Sequence, residues 1–281
     1  MTATSISVAE PDGRPFQRIV RDGVRLAYTD IGDGAPPVVA IHGLCDSLEV
    51  MAPMTVPMAD RHRVVSVDLR GHGASDAPEG DYSIETLAAD VAAVCDRLEI
   101  DDAVVIGHSL GSAVAVQLAA ARPDLVAAVA MLEGALLFRA EVLQGVAPLF
   151  EALRSPAWRD ALHGFVDGGF IATDDPEVRA AAHARVDGLT HHAMRAVFDA
   201  AGQWNAEAAL RACLVPLLHV EAGSNLTDLD RFAVLCPQVQ VGHTVGVGHN
   251  QMLATPDQVA AMIDRFVYVA DLVATVEGGR P

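Results

Sequence analysis

The chain has 281 residues, 51% of them hydrophobic and 20% charged, enough to bury a full core in one large domain carrying an insertion or in two smaller ones. A formal net charge of −18, with 19 arginines and no lysine, argues against nucleic acid or an anionic membrane as partner and points to an acidic, solubilising surface. Cys45, Cys95, Cys213 and Cys236 lie far apart with no C-x-x-C spacing, so reduced, mostly buried thiols are expected rather than a metal site or a disulfide framework. Met1 to Pro15 lacks the basic and apolar regions of a signal peptide, and no uncharged apolar run reaches membrane-spanning length, so a cytoplasmic protein is expected.

In chain order, Gln17 to Asp30 reads as a hairpin of two strands around Asp22-Gly23. The apolar runs Val38 to Ile41 and Val64 to Val67 follow, each leading into a Gly-rich loop. Behind the expected cap Ser83, the residues Ile84, Leu87, Val91, Val94 and Leu98 recur at helical spacing. Next come the run Ala103 to Ile106, the turn Gly107-His108-Ser109-Leu110-Gly111 and a helical pattern from Ser112 to Leu118. Glycines two residues before and two after Ser109 let strand and helix approach while its hydroxyl projects at the strand's C-terminal end. The helix N-terminus behind it offers N–H groups to a developing oxyanion.

The run Val126 to Leu132 is a further strand, and Glu133 directly follows it. From Gly134 to Ala212 no convincing strand occurs, while Val142, Val146, Leu149, Phe150 and Leu153 recur at helical spacing. Two last strands, Leu217 to Val220 and Val239 to Val245, precede Gly248-His249 and a helix after Pro256 with its stripe Val259, Met262, Phe266 and Val269. Near-continuous apolar strands alternating with helices define an α/β fold with a doubly wound, mostly parallel sheet. Residues 1–133 and 213–281 are expected to form the core, and 134–212 a helical lid inserted between the sixth and seventh strands, over the sheet edge where ligands bind.

From Gly23 to Val269 the chain resembles an α/β-hydrolase. The resemblance rests on the Gly107 to Gly111 elbow, on Ile41-His42-Gly43-Leu44 at the position of the oxyanion loop, on Asp68-Leu69-Arg70-Gly71-His72-Gly73-Ala74-Ser75, and on Gly248-His249 followed by Pro256. A serine hydroxyl needs an imidazole to accept its proton. Of eleven histidines, His249 is the strongest candidate, because its loop returns to the edge where Ser109 sits. His219 and His243 fall in strand patterns, His62 precedes one, and His42 and His72 suit loop-holding roles. His108 should point away from the elbow, and His163, His183, His191 and His192 belong to the inserted segment.

The third triad member departs from the usual family pattern. The common position, after the strand ending at Val220, falls on Asn225 or Leu226, and neither supplies a charge. An uncharged partner costs ~10⁴-fold in serine proteases. Glu133 offers a carboxylate from the end of the sixth strand, with Asp228, Asp230 and Glu221 as rivals. An acid in that place resembles the arrangement of some haloalkane dehalogenases and of the hydrolases that open the lactone zearalenone.

The expected oxyanion donors are the backbone N–H groups of Leu110 and Leu44, with Gly43 as the alternative if the loop turns differently. Cys45 lacks an elbow and reads as a buried thiol. No metal or cofactor is expected, and the partner is a small-molecule ester or lactone cleaved through an acyl-enzyme. A serine rather than an aspartate at the elbow argues against dehalogenase or epoxide hydrolase chemistry, and the lack of lysine does the same for hydroxynitrile lyase chemistry. A C–C bond hydrolase, a perhydrolase, an acyltransferase or a non-catalytic binding protein remain alternatives. Trp158, Phe165, Phe170, Phe198 and Trp204 are candidate apolar walls, with Asp199 and Gln203 as polar handles.

Overall fold

A computed structural model describes residues 16–134 and 136–276, with side chains through residue 270; the expectation for Met1 to Pro15 lies outside them. Eight strands form one sheet: β1 (Gln17–Arg21), β2 (Val24–Ile31), β3 (Val38–Ile41), β4 (Val64–Val67), β5 (Ala103–His108), β6 (Val126–Leu132), β7 (Leu217–Glu221) and β8 (Val239–His243), in the spatial order β1-β2-β4-β3-β5-β6-β7-β8. The β1–β2 and β2–β4 pairs are antiparallel and every other pair is parallel. The last strand ends at His243 rather than Val245, which is exposed beyond the ladder.

Alternate side chains of each central strand enter opposite cores, as the period of two requires. On one face Val39, Ile41, Val105, Val129 and Met131 pack with helices α2 (Ile84–Arg97) and α3 (Leu110–Ala121). On the other, Val38, Ala40, Val104, Ile106 and Ala130 pack with α1 (Ala52–Met58), α10 (Gln251–Ala254) and α11 (Pro256–Val276). Burial on both faces is why the strands are apolar throughout rather than alternating. Ser83 caps α2 by accepting a hydrogen bond from the Thr86 N–H.

Between β6 and β7 lie five helices: α4 (Ala140–Ala152), α5 (Trp158–Asp167), α6 (Pro176–Asp187), α7 (His191–Ala201) and α8 (Ala206–Ala212). They are tied to the core at separate points. Arg185 Nε donates to Asp46 Oδ1 at 3.1 Å, Trp204 Nε1 donates to Gln117 Oε1 at 2.9 Å, and His192 Nε2 donates to the Ala77 carbonyl at 2.9 Å. A short helix α9 (Leu229–Leu235) links β7 to β8. Among the described residues no helix is long and apolar enough to cross a membrane.

The loop after β4 is held by buried charges. Asp68 accepts the N–H groups of Leu48 and Ala74 at 2.7 and 2.8 Å, and burial pushes its carboxyl up to about 7. Arg70 grips the fully buried Asp90 of α2 through two hydrogen bonds of 2.5 and 2.8 Å, and Arg21 of β1 adds a third of 2.8 Å. Removing one partner of such a pair strands the other charge in a low-dielectric interior. Asp90→Ala is therefore expected to cost about 3–5 kcal/mol in urea denaturation; a loss below about 1 kcal/mol would show that Arg70 finds another acceptor or water.

Candidate active site

The site is built where β5, β6 and β7 end. His108 pairs with Leu132 and Leu132 with Val220, and the ladder runs one residue further: Ser109 N–H donates to the Leu132 carbonyl and Glu133 N–H to the Val220 carbonyl, each at 3.0 Å. Ser109 and Glu133 thus leave adjacent strands in register at one edge, on the order of one strand spacing apart.

Ser109 adopts φ 50° and ψ −114°, and its side chain makes no cap bond to α3, so the serine is not an ordinary helix cap. Left-handed backbone at a residue with a Cβ costs about 1–3 kcal/mol and persists only where its surroundings impose it. Here the constraint is close approach: a Cβ on Gly107 would lie 2.3 Å from the Gly111 carbonyl oxygen, and one on Gly111 2.3 Å from that of Ile41. Among the described residues, seven non-glycine positions have positive φ, and Cys45, Ser109, Glu133 and Asn225 of these stand on the loops at this edge.

Glu133 is fully buried and holds three groups. Its Oε1 accepts the Ala222 N–H at 2.5 Å, while its Oε2 accepts both the Ser224 hydroxyl and, at 3.3 Å, His249 Nδ1. Burial pushes this carboxyl up, but the His249 hydrogen bond and charge, together with Ser224 and Ala222, outweigh that and leave it below its ordinary value of 4.5. Of the carboxylates expected as candidates, only Glu133 is in contact with His249. Asp228 caps α9 by accepting the Arg231 N–H at 3.0 Å, and Glu221 binds His219 Nε2 at 2.6 Å. Asn225, at the usual acid slot, stands in the left-handed region at φ 49°.

His249 is placed by its loop. Its N–H donates to the Gly169 carbonyl at 2.9 Å, and the preceding Gly248 N–H donates to Asp174 Oδ1 at 3.2 Å. The buried Gln251 donates to the Val220 carbonyl at 2.9 Å and accepts from the Thr244 hydroxyl at 3.1 Å, fastening both ends of the loop to β7. His108 lies between this loop and the nucleophile turn. Its Nε2 donates to the His249 carbonyl at 3.0 Å and its ring centroid is 4.6 Å from that of His249. Burial drives His108 well below the usual histidine range, so the ring is neutral, with Nδ1 bare. Among the described residues no hydrogen bond joins the Ser109 hydroxyl to His249; such bonds commonly tighten only when substrate is present.

The loop after β3, expected to supply oxyanion donors, packs directly on the Ser109 turn: a Cβ at Gly43 would lie 2.7 Å from His108 Nδ1 and 3.2 Å from Ser109 Cβ. The His42 ring is fixed on both sides. Its Nε2 accepts the Leu69 N–H at 3.1 Å, so its Nδ1 carries the proton and donates to the Gly43 carbonyl at 2.7 Å. Burial lowers His42 to about 3 and keeps it neutral. A trans peptide sets its N–H antiparallel to its carbonyl. The Leu44 N–H therefore points away from His42, which favours Leu44 over Gly43 as the donor. Cys45 is buried and its thiol is pushed up by desolvation, which removes it as a nucleophile. All four cysteines are free and buried.

The aromatic side chains expected as walls pack chiefly on one another and on the inserted helices. Phe165 and Phe150 meet Phe198 edge to face at 5.5 and 5.9 Å, and Trp158 stacks on His191 at 4.9 Å. Asp199 is engaged by Arg154 at 2.6 Å on the surface. A cavity of about 330 Å³ lies beside the oxyanion loop, walled by Asp46, Ser47, His72, Ala74, Arg185 and Thr190 among others.

Residues 36–160 match the family model of the alpha/beta hydrolase fold. The chain is 30% identical over 203 residues to the 2-(acetamidomethylene)succinate hydrolase of Mesorhizobium japonicum, covering 69% of each chain. Among solved structures it resembles Est816, described as an N-acyl homoserine lactone degrading enzyme, at a TM-score of 0.78 and 28% identity, over 89% of this chain and 100% of that one. The enol-lactonase from Burkholderia xenovorans LB400 shares the fold at a TM-score of 0.79 and 23% identity, over 90% of this chain and 100% of that one. With a nucleophile-elbow turn, an oxyanion-type loop and a histidine loop in place on this sheet, the chain belongs to the α/β-hydrolase family, and that family and its relatives make it a hydrolase.

Four polar residues at this site had no signature in the sequence: Ser224, Gln251, Asp174 and His108 as a bridge between loops. Ser224 is the most directly testable. Removing its hydroxyl takes away a donor to the ionised form of Glu133, so Ser224→Ala is expected to raise the pH at which the Glu133 carboxyl titrates, and Ser224→Thr to restore it. A carboxyl-carbon NMR titration checks this, and an unchanged midpoint in Ser224→Ala would contradict the role given to the hydroxyl.

Proposed function

We propose that this chain is a serine hydrolase that cleaves a carboxylic ester or lactone through an acyl-enzyme, with Ser109 as nucleophile, His249 as proton shuttle and Glu133 as the triad acid. The observation that carries the reading is the contact of His249 Nδ1 with Glu133 Oε2, made at the sheet edge where Ser109 is held in a left-handed turn. With Nδ1 turned to the carboxylate, Nε2 is the nitrogen left to serve the serine.

In this mechanism Ser109 Oγ adds to the carbonyl carbon as its proton passes to His249 Nε2. The tetrahedral oxyanion is received by the N–H groups of Leu44 and Leu110, and Glu133 stabilises the imidazolium. Collapse expels the alkoxide, which takes the proton from His249, and leaves the acyl group on Ser109. Water, deprotonated by the same nitrogen, then releases the acid. For a lactone the leaving alcohol stays tethered to the acyl group, so ring opening gives a hydroxy acid. The lactone-degrading enzyme at 28% identity supports including lactones in the substrate class, as does the likeness of the acid's position to that of zearalenone-type hydrolases. The inserted helices, residues 134–212, act as the lid over the pocket in this reading.

Fluorophosphonate labelling followed by peptide mass spectrometry is expected to place the adduct on Ser109. Glu133→Gln should slow labelling and turnover of an activated ester by roughly 10³–10⁴-fold, as loss of the triad carboxylate does elsewhere, whereas Asp228→Asn should leave both near the parent rate. A folded protein that takes no adduct at Ser109 would refute the triad and favour a non-catalytic binding protein. Because its surroundings hold Glu133 below 4.5, its ionised contacts stabilise the fold above that pH and are lost as pH falls through the lower folded value. The stability gap between parent and Glu133→Gln should accordingly narrow on acidification below about 4.5, as followed by urea denaturation at stepped pH.

A further inference from the structure

Away from the candidate active site, helices α5 and α6 meet through two imidazoles set edge to edge. The rings of His163 and His183 lie 4.7 Å apart between centroids with planes inclined at 24°, and their Nδ1 atoms face each other at 2.5 Å. Each ring is backed by a carboxylate on its far nitrogen: His163 Nε2 meets Asp187 Oδ1 at 3.2 Å and His183 Nε2 meets Asp167 Oδ1 at 3.0 Å. Arg179 Nη1 stands 3.7 Å from the same Asp167 Oδ1.

Proton positions follow from these partners. An ionised carboxylate only accepts, so each Nε2 carries a hydrogen, and a neutral imidazole with Nε2–H has a bare lone pair on Nδ1. With both rings in that form two bare lone pairs face each other, an arrangement that repels unless a cation, either a proton or a metal ion, lies between them. Giving one Nδ1 the proton from its own Nε2 would turn a lone pair on the carboxylate instead, and the repulsion would only move.

We propose that His163 and His183 form a binding site for a divalent transition metal of the imidazole-preferring class, zinc above all, ligated by the two Nδ1 atoms. Asp187 and Asp167 are the outer carboxylates that metal-bound histidines characteristically engage through their other ring nitrogen. Among the described residues no group of three or more His, Cys, Asp or Glu side chains is arranged to hold a metal, so the two imidazoles are the whole protein donor set and water completes the shell. Ligation at about 2.0–2.1 Å from each nitrogen requires the pair to open from its present separation to roughly 3 Å or a little more. Both side chains are partly exposed, at 25% and 31%, so rotation can supply this.

The position gives such a site a mechanical meaning. Just beyond α5, the Gly169 carbonyl receives the His249 N–H, and α6 carries Arg185, which grips Asp46 in the oxyanion loop. A metal joining the two helices would brace the two inserted segments that touch opposite sides of the candidate active site.

Zinc chloride titrated into the metal-stripped full chain, read by calorimetry and native mass spectrometry, is expected to show one ion per chain and a rise in Tm. His163→Gln and His183→Gln should each abolish that ion, and Asp187→Asn should weaken it about tenfold or more. His243→Gln, an exposed histidine elsewhere, should change nothing. Retained circular dichroism and Tm in the stripped variants show that they fold, and the readout does not depend on turnover. Failure of the parent chain to take up zinc, or uptake that persists in the His163→Gln and His183→Gln double variant, overturns the proposal. So does an Nδ1–H signal in nitrogen NMR that survives added zinc, which would identify the bridging cation as a proton.

Discussion

The contact between Gly107 and Gly111 is the constraint on which the site depends. Strand β5 and helix α3 approach so closely there that Gly107 cannot carry a side chain, and the short connection between them drives Ser109 into the left-handed region. The same closeness brings the first turn of α3 against the end of β3, so that the loop beginning at His42 lies on the nucleophile's own Cβ carbon. Ser109, the N-terminus of α3 and the loop after β3 are therefore fixed by one packing event in the rigid centre of the sheet, where local unfolding is least favourable.

Around that centre the polar groups form nested layers. Glu133 and His249 meet directly; Ser224, Ala222 and Gln251 hold them; and the charged pair Arg70–Asp90, with Asp68, holds the loop that supports His42. Burial neutralises His42, His72 and His108, so three of the imidazoles nearest the site serve as fixed donors and acceptors. His249 differs in being partly exposed and in making a hydrogen bond to a carboxylate. Environment rather than residue type separates the imidazole suited to proton transfer from those that are scaffolding.

How much of this was legible in the sequence depended on the range of the interaction. The strands, the turn at Ser109, the Ser83 cap and the loop at His249 follow from patterns a few residues long, and apart from the end of β8 each stands where those patterns place it. Glu133 could be singled out because the register of a parallel sheet is regular: a residue just past one apolar run ends level with a residue just past its neighbour. Ser224 and Gln251 could not, because a hydroxyl or amide becomes a partner only through contacts spanning 91 and 31 residues. Asp199 shows the opposite limit, since a polar residue at a suggestive helical position was claimed by Arg154 on the surface. The facing of His163 and His183 likewise arises from how two helices dock and leaves no trace in spacing.

Placing the carboxylate on β6 also changes what the segment after β7 has to conserve. Residues 222–227 contribute a backbone N–H, a hydroxyl and a left-handed turn at Asn225, none of which demands an acidic side chain. Under the proposed triad, a survey of genomes that recognises triads by an acid following the seventh strand would file such chains among degenerate members of the family, although the carboxylate stands one strand nearer to Ser109.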